Sequence, residues 1–441
     1  MATASATGDE SVYLPFLRKL KILSAGGMFL DGFDLTVIAV ALPLIVKRFH
    51  IGAGIEGVVA ASAVVGLLVG ALVMGPFTDR FGRRTMYLLD LVFFVVFAVL
   101  AALSQNVWEL LVFRFLLGFG IGADYAISTT LVAEFSPQRV RGTQVSFLNV
   151  TWGVGALAAY VAGIAMINTG PNAWRYMLMI GAVIALIVLA FRRGIPESPR
   201  WLQSEGRGEQ ARDVVTSVPG APEELLAKSD RFGWRDIFSP RYLRTTVFIS
   251  VFWFCFVVAF YGISLYTPTV IKTFGLVTQL QADIGAAIIG VADVVGNIIG
   301  LLMVDRWGRR RPTILGFAGL TVPIVILALL PHVNASVIVL LFLIAILLVS
   351  LGPGIMNFVY TTELYPTTIR AGAMGFGTAV SRVGSILGVV LFPVLIGAWG
   401  FSAALWLFAV VGVIGLVITW AMAPETKHQQ LEVSARGLAA S

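Results

Sequence analysis

Twelve apolar stretches, roughly 20–46, 55–78, 85–104, 107–133, 142–167, 174–193, 245–271, 281–304, 312–331, 335–358, 369–397 and 401–423, account for most of this sequence. A helix crosses the ~30 Å hydrocarbon layer with about 20 apolar residues, and every stretch reaches that length. With 58% hydrophobic residues, 12% charged and a mean hydropathy of +0.90, the chain lies far from the soluble norm of about 25% charged. The expectation is an all-α membrane protein with twelve transmembrane helices. No apolar core with a cleavage site follows the polar start "MATASATGDESVYLPFLRKLK", so the first stretch is expected to remain as a membrane helix.

Several function classes fall away. Cys255 is the sole cysteine, which rules out an intrachain disulfide. The three histidines are scattered and no Walker phosphate loop is present, so neither a metal site nor an ATP-driven pump is expected. Neither a cofactor nor an enzymatic activity is expected. The net charge of +7 is not a nucleic-acid signal. Basic residues gather in alternate loops: Arg18, Lys19 and Lys21; Arg80, Arg83 and Arg84; Arg139 and Arg141; Arg192 to Arg244; Arg306 and Arg309 to Arg311; Arg370; Lys427. By the positive-inside rule both termini and the long middle loop are cytoplasmic, and the partner is a lipid bilayer, the cell membrane.

The chain is duplicated. "DRFGRR" at Asp79 recurs as "DRWGRR" at Asp305, 226 residues on; "EFSPQRVRG" at Glu134 answers "ELYPTTIRAG" at Glu363, 229 on; "PESPR" at Pro196 answers "PETK" at Pro424, 228 on. The expected domains are a six-helix bundle over 1–194, a polar linker with short helices over 195–243, and a second bundle over 244–441. Parallel repeats of this kind build transporters whose substrate site lies between halves that rock against each other.

These motifs, with "RFLLGFGIG" in the fourth stretch and "PESPRWL" after the sixth, resemble the Major Facilitator Superfamily over nearly the whole chain. The nearest branches are the sugar porters, the phosphate:proton symporters and related bacterial metabolite transporters. The resemblance implies that Asp79, Arg83, Glu134, Arg141, Glu197, Arg200, Asp305, Arg309, Glu363 and Arg370 are cytoplasmic latches. Charge-assisted hydrogen bonds suit contacts that must break, and Asp79 and Asp305 could face the positive ends of helix dipoles. The alternative is that the arginines only set topology.

Charges inside the membrane cost about 2.5–3.5 kcal/mol each, which makes them functional candidates. Asp31 and Asp34 share one face of the first helix; Arg114 and Asp124 lie in the fourth, Asp293 in the eighth and Arg382 in the eleventh. A carboxylate beside a permanent cation can exchange a proton. "GFD" with "RFLLGFGIG" resembles the sugar-porter coupling pair, which implies Asp34 and Arg114; "GADYAIS" resembles the phosphate symporters' proton site, which implies Asp124. Both remain open. Mutual neutralisation that locks the first helix to the fourth is the structural alternative. Asp90, only about 8 Å into the third helix, is expected to serve as a loop partner rather than a carrier. The glycines at 118, 120 and 122 suit close helix packing.

The candidate cavity lining is Asn149, Trp152, Trp253, Tyr261, Tyr266, Asp293, Asn297, Asn357, Tyr360 and Arg382, amides for hydroxyls and aromatics for flat walls. The sugar porters' paired glutamines fall at Cys255 and Phe256, and the phosphate symporters' Asp and Asn fall at Val257 and Gly354, so neither hexose nor inorganic phosphate is indicated. The expected function is proton-coupled symport of a small polar or anionic metabolite by alternating access, by one chain acting as a monomer. Proton-coupled efflux and a non-transporting sensor are the alternatives.

Overall fold

The computed structural model describes residues 10–137, 139–166, 169–192, 194–226, 233–273, 279–330 and 335–429; the side chains of 265–284 and of a few scattered residues lie outside that description. The first half comprises α1 (Glu10–Phe49), α2 (Ala53–Phe81), α3 (Arg83–Leu103), α4 (Val107–Phe135), α5 (Arg141–Met166) and α6 (Ala173–Arg192). Two short helices, α7 (Pro199–Ser204) and α8 (Gly208–Ser217), and two 3-10 turns (Glu223–Leu226 and Trp234–Phe238) occupy the polar middle. The second half comprises α9 (Pro240–Thr273), α10 (Gln279–Trp307), α11 (Arg310–Leu329), α12 (Ala335–Val349), α13 (Ile355–Glu363), α14 (Thr367–Trp399) and α15 (Phe401–Met422). A π turn over Ser350–Gly354 joins α12 to α13, so together they make one crossing, Ser336–Glu363. Pro353 sits in that turn and lacks the N–H that a regular helical bond there would need. Among the described residues eleven segments are long and apolar enough to span a membrane; α14, with 33 residues, completes twelve.

The helices overrun the apolar stretches at their ends. α1 begins ten residues before Leu20, because "ESVYLPFLRK" is amphipathic rather than merely polar: Tyr13 and Leu17 are buried and the Tyr13 hydroxyl donates to the Phe135 carbonyl at 2.7 Å. Local chemistry sets other ends. Asn106 accepts from the Glu109 N–H at 2.9 Å and starts α4; Ser198 caps α7, where Pro199 needs no N–H partner.

Small residues decide which helices lie closest. A Cβ at Gly118 or Gly122 would collide with the α2 backbone, and one at Gly66 or Gly70 with the α4 backbone, so these two helices pack backbone to backbone. Between the halves, α2 lies along α14 and α5 along α10. Gly75 and Gly375 keep the first of these contacts close, each facing backbone of the other helix.

Candidate transport site and closing contacts

The repeated hexamer has one local geometry. Asp79 and Arg83 pair at 2.8 Å, Asp305 and Arg309 at 3.1 Å, each across one helical turn. Between them Gly82 has φ +98° and Gly308 φ +83°, a backbone region where glycine alone is unstrained. Gly82 ends α2 and starts α3, and Gly308 lies between α10 and the Arg309 cap of α11. Glu197 then accepts from the N–H groups of Arg83 (2.9 Å) and Arg84 (3.2 Å), and Glu425 from those of Arg309 (3.0 Å) and Arg310 (3.3 Å). These carboxylates occupy the unsatisfied, positive N-termini of α3 and α11. Burial pushes the Glu197 carboxyl above its ordinary range, against the pull of its N–H donors and Arg83.

From each hexamer one contact network crosses between halves. Arg83 donates to Glu134 at 3.4 Å and to the Thr367 carbonyl at 2.7 Å. Glu134 accepts from Arg370 at 3.0 Å and from the Ser198 hydroxyl, and its carbonyl accepts from Arg200 at 3.2 Å. Asp79 accepts from the N–H groups of Gly372 (2.7 Å) and Ala371 (3.3 Å) near the start of α14. In the second network Arg309 grips Glu363 with two bonds, of 2.8 and 3.1 Å. Asp305 accepts from the Thr143 N–H at 2.8 Å and its hydroxyl at 2.5 Å, at the start of α5. Arg141 donates to the Gln429 carbonyl at 3.3 Å. Each aspartate thus holds an arginine of its own half and two donors of the other, two backbone N–H groups for Asp79 and one N–H with a hydroxyl for Asp305.

Deeper in the first half lies a cluster of acids. Arg192, in the last turn of α6, pairs with Asp124 at 3.0 Å and Asp90 at 3.2 Å. It also donates to the Tyr87 carbonyl at 3.1 Å and stacks over the Tyr87 ring at 3.7 Å. Ser128 donates to Asp124 at 2.8 Å. Asp31 has Asp124, Asp90, Arg192 and Asp34 as its electrostatic neighbours, and one oxygen each of Asp31 and Asp124 is buried without a hydrogen-bond partner among the described residues. Gly27 makes the room: a Cβ there would overlap both Arg192 and Asp124.

Two expectations change here. Asp90 serves no loop; it is buried and paired with Arg192. The guanidinium beside Asp124 comes from Arg192, which a sequence reading counts among the linker's basic residues because it is the last residue of its span. Asp34 and Arg114 are adjacent, yet Arg114 donates to the Asp34 carbonyl at 3.4 Å, and both Asp34 carboxylate oxygens are buried without a partner among the described residues.

Between the halves is a cavity with about 460 Å³ of space not filled by atoms, open solvent at its mouth included. The first half contributes Tyr125, Asn149 and Trp152; α9 contributes Trp253, Phe256, Val257, Phe260 and Tyr261; the remaining wall is Asp293, Asn297, Gly354, Asn357, Phe358 and Arg382. Asp293 accepts from Ser350 at 2.5 Å and Asn297 at 2.9 Å. Asn149 donates to the Gly354 carbonyl, tying α5 to the π turn across the two halves. Arg382 donates to the Tyr261 hydroxyl at 2.9 Å and lies over the rings of Tyr261 and Tyr125 at 5.4 and 5.6 Å.

Eight of the ten expected lining residues surround this cavity. Tyr360 does not: its hydroxyl donates to the Pro424 carbonyl at 3.0 Å and its ring packs on Phe248 and Phe252, so it belongs with the Glu363 network. The Tyr266 side chain lies outside the described residues. Asp31, Asp34, Arg114 and Asp124 are not among the lining residues; Asp124 is next in sequence to the lining Tyr125, and Asp31 acts electrostatically on Tyr125 and Arg382. Tyr125, Phe256, Phe260 and Phe358 also line the cavity, and the sequence carries no signal for them, because nothing in an apolar helix distinguishes an aromatic that faces a cavity from one that packs.

A family model described as "Sugar (and other) transporter" matches residues 20–437. The chain belongs to this sugar-transporter family. It is accordingly a multi-pass membrane transporter and not an enzyme. It is 33% identical to the putative metabolite transport protein YaaU of Escherichia coli strain K12, covering 96% of this chain and 95% of the relative. It is 28% identical to the arabinose-proton symporter of Bacillus subtilis strain 168, covering 92% and 91%. Among solved structures, that of the proton:xylose symporter XylE bound to 6-bromo-6-deoxy-D-glucose superposes with a TM-score of 0.84 at 23% identity, covering 97% of the transporter and 99% of that chain, which shows the shared fold.

Proposed function

We propose that this transporter couples proton entry to uptake of a small polar or anionic metabolite, as a monomer in the cell membrane with both termini in the cytoplasm. The observation that carries the coupling is the cluster in the first half: three carboxyls, Asp31, Asp90 and Asp124, around one guanidinium, Arg192. Removed from water, such a set holds acid in excess of cation, and a proton neutralises what Arg192 leaves over. Asp124 is the carrier in this reading and Arg192 the fixed cation. Asp31 links the cluster to the cavity, since Asp31 acts electrostatically on both Tyr125 and Arg382. Asp34 and Arg114 form a second, looser pair toward α6. The relatives named as sugar-proton symporters favour the same direction of coupling.

The two networks of Asp79, Arg83, Glu134, Glu197, Arg200 and Arg370, and of Arg141, Asp305, Arg309 and Glu363, act as the latch that closes the cytoplasmic side while the other side is open. Their bonds are charge-assisted, hence strong enough to hold and short-ranged enough to release when the halves rock.

Vesicles carrying the purified transporter and an imposed pH gradient test the coupling. Gradient-driven accumulation is expected for the parent protein and is expected to be lost in Asp124→Asn. Accumulation that persists in Asp124→Asn, Asp31→Asn and Asp34→Asn alike would refute the assignment.

A further inference from the structure

Four other buried arginines meet an acid: Arg83 meets Asp79, Arg192 meets Asp124, Arg309 meets Glu363 and Arg370 meets Glu134; Arg114 lies beside Asp34 but donates to its carbonyl. Arg382 meets none. It is 4% exposed, lines the central cavity, and finds one phenol hydroxyl and two aromatic faces, while its Nε is buried without a hydrogen-bond partner among the described residues. Asp31 influences it electrostatically, but no carboxylate lies within ion-pair distance among the described residues. A guanidinium taken out of water without a counter-ion is costly, and its planar fork matches a carboxylate.

The rest of the wall has a different chemistry. Asp293 uses one carboxylate oxygen for Ser350 and Asn297; the other takes no hydrogen bond from the described residues and borders Gly153, where a Cβ would come within 2.9 Å of it. The amide nitrogen of Asn357 is likewise uncommitted, whereas its oxygen accepts from the Phe358 N–H at 2.6 Å. An acceptor and a donor within one wall suit hydroxyl groups, each of which gives and takes a hydrogen bond, and the Trp152 and Trp253 faces suit a ring or carbon chain. The carboxylate of Asp293 also opposes a doubly charged anion such as phosphate, since Arg382 is the only cation on this wall among the described residues.

We propose that the substrate is a polyhydroxylated monocarboxylate, a sugar acid, with its carboxylate on Arg382 and its hydroxyls on Asp293 and Asn357. This deepens the uptake reading above and rests on it for the identity of the cavity. The test is the thermal stability of the purified transporter against D-glucuronate, D-gluconate, D-glucose and cyclohexanecarboxylate, because a ligand that binds only the folded state raises its melting temperature. The two sugar acids are expected to bind at least about tenfold more tightly than the neutral sugar or the hydroxyl-free acid, the value of one hydrogen bond to a charged group. Arg382→Gln is expected to abolish the preference for acid over sugar, and Arg382→Lys to keep part of it, which separates recognition from mere folding. Equal binding of glucose and glucuronate, equal binding of cyclohexanecarboxylate, full acid affinity in Arg382→Gln, or no binding of any of the four would overturn the proposal. Gradient-driven uptake of glucose but not of the acids would remove the substrate class and leave symport standing. Acid binding with flux indifferent to the gradient would remove symport and leave the substrate class standing.

Discussion

Asp79→Asn isolates one contact between the halves without changing the shape of the side chain. The carboxylate accepts two N–H groups from α14 and one guanidinium from its own half. The amide keeps a single acceptor oxygen, so one charge-assisted bond across the interface is lost and an NH₂ group is set against a backbone donor. Such a bond contributes about 1.5–3 kcal/mol, which corresponds to a shift of roughly 10- to 150-fold in the ratio of closed to open states. Arg83 retains Glu134 and the Thr367 carbonyl, so the fold itself is expected to survive. Spin labels at Arg80→Cys and Arg306→Cys, both exposed, in a background where the sole and buried Cys255 is replaced by Ser, report the separation of the two motif loops. A longer-distance population is expected to appear or grow in Asp79→Asn, with slower accumulation of substrate. Normal membrane insertion with an unchanged distance distribution and unchanged flux would refute the latch and leave the hexamers as topology signals.

Gly308 of the second hexamer and Gly400, between α14 and α15, give a paired prediction. Gly308 and Gly400 both have positive φ, but a Cβ at Gly308 meets the Glu425 carboxylate whereas one at Gly400 meets nothing within 4 Å. Gly400→Ala should therefore lose only the roughly 1–2 kcal/mol of backbone strain, and Gly308→Ala clearly more; equal melting temperatures would show that Glu425 moves aside freely. Arg192→Gln leaves buried carboxylates without their cation and is expected to destabilise by about 3–5 kcal/mol. Adding Asp124→Asn should restore part of that loss, and strict additivity of the two changes in thermal unfolding would deny the coupling. Gly27→Ala pushes a methyl into the Arg192–Asp124 pair and is expected to cost about 1–3 kcal/mol and to impair gradient-driven uptake, whereas Gly52→Ala, with open space around it, should do neither.

Much of this protein is written in its one-dimensional pattern. Apolar run length dictates helices that cross a bilayer, since each is a local property of about 20 residues. The duplicated hexamer forecasts two equivalent corners, because both copies place an aspartate and an arginine one helical turn apart with a glycine free to take positive φ before the arginine. Even the helical reach of α1 was present in the spacing of Tyr13, Leu17 and Leu20, although the surrounding polar residues obscured it.

Partnership across helices is another matter. That Arg192 serves Asp124 and Asp90 rather than the linker, that Arg114 reaches a carbonyl of α1 and not its carboxylate, and that Tyr360 turns from the cavity to the Pro424 carbonyl all depend on side-chain direction. So does the position of Arg382, which meets the Tyr261 hydroxyl and two rings but no carboxylate among the described residues. Sequence fixes which groups are charged and how deep they sit along a helix. Only the packing of twelve helices against one another determines which of them meet, because a rotation of one helix by a third of a turn would exchange every such neighbour while leaving the hydrophobic pattern intact.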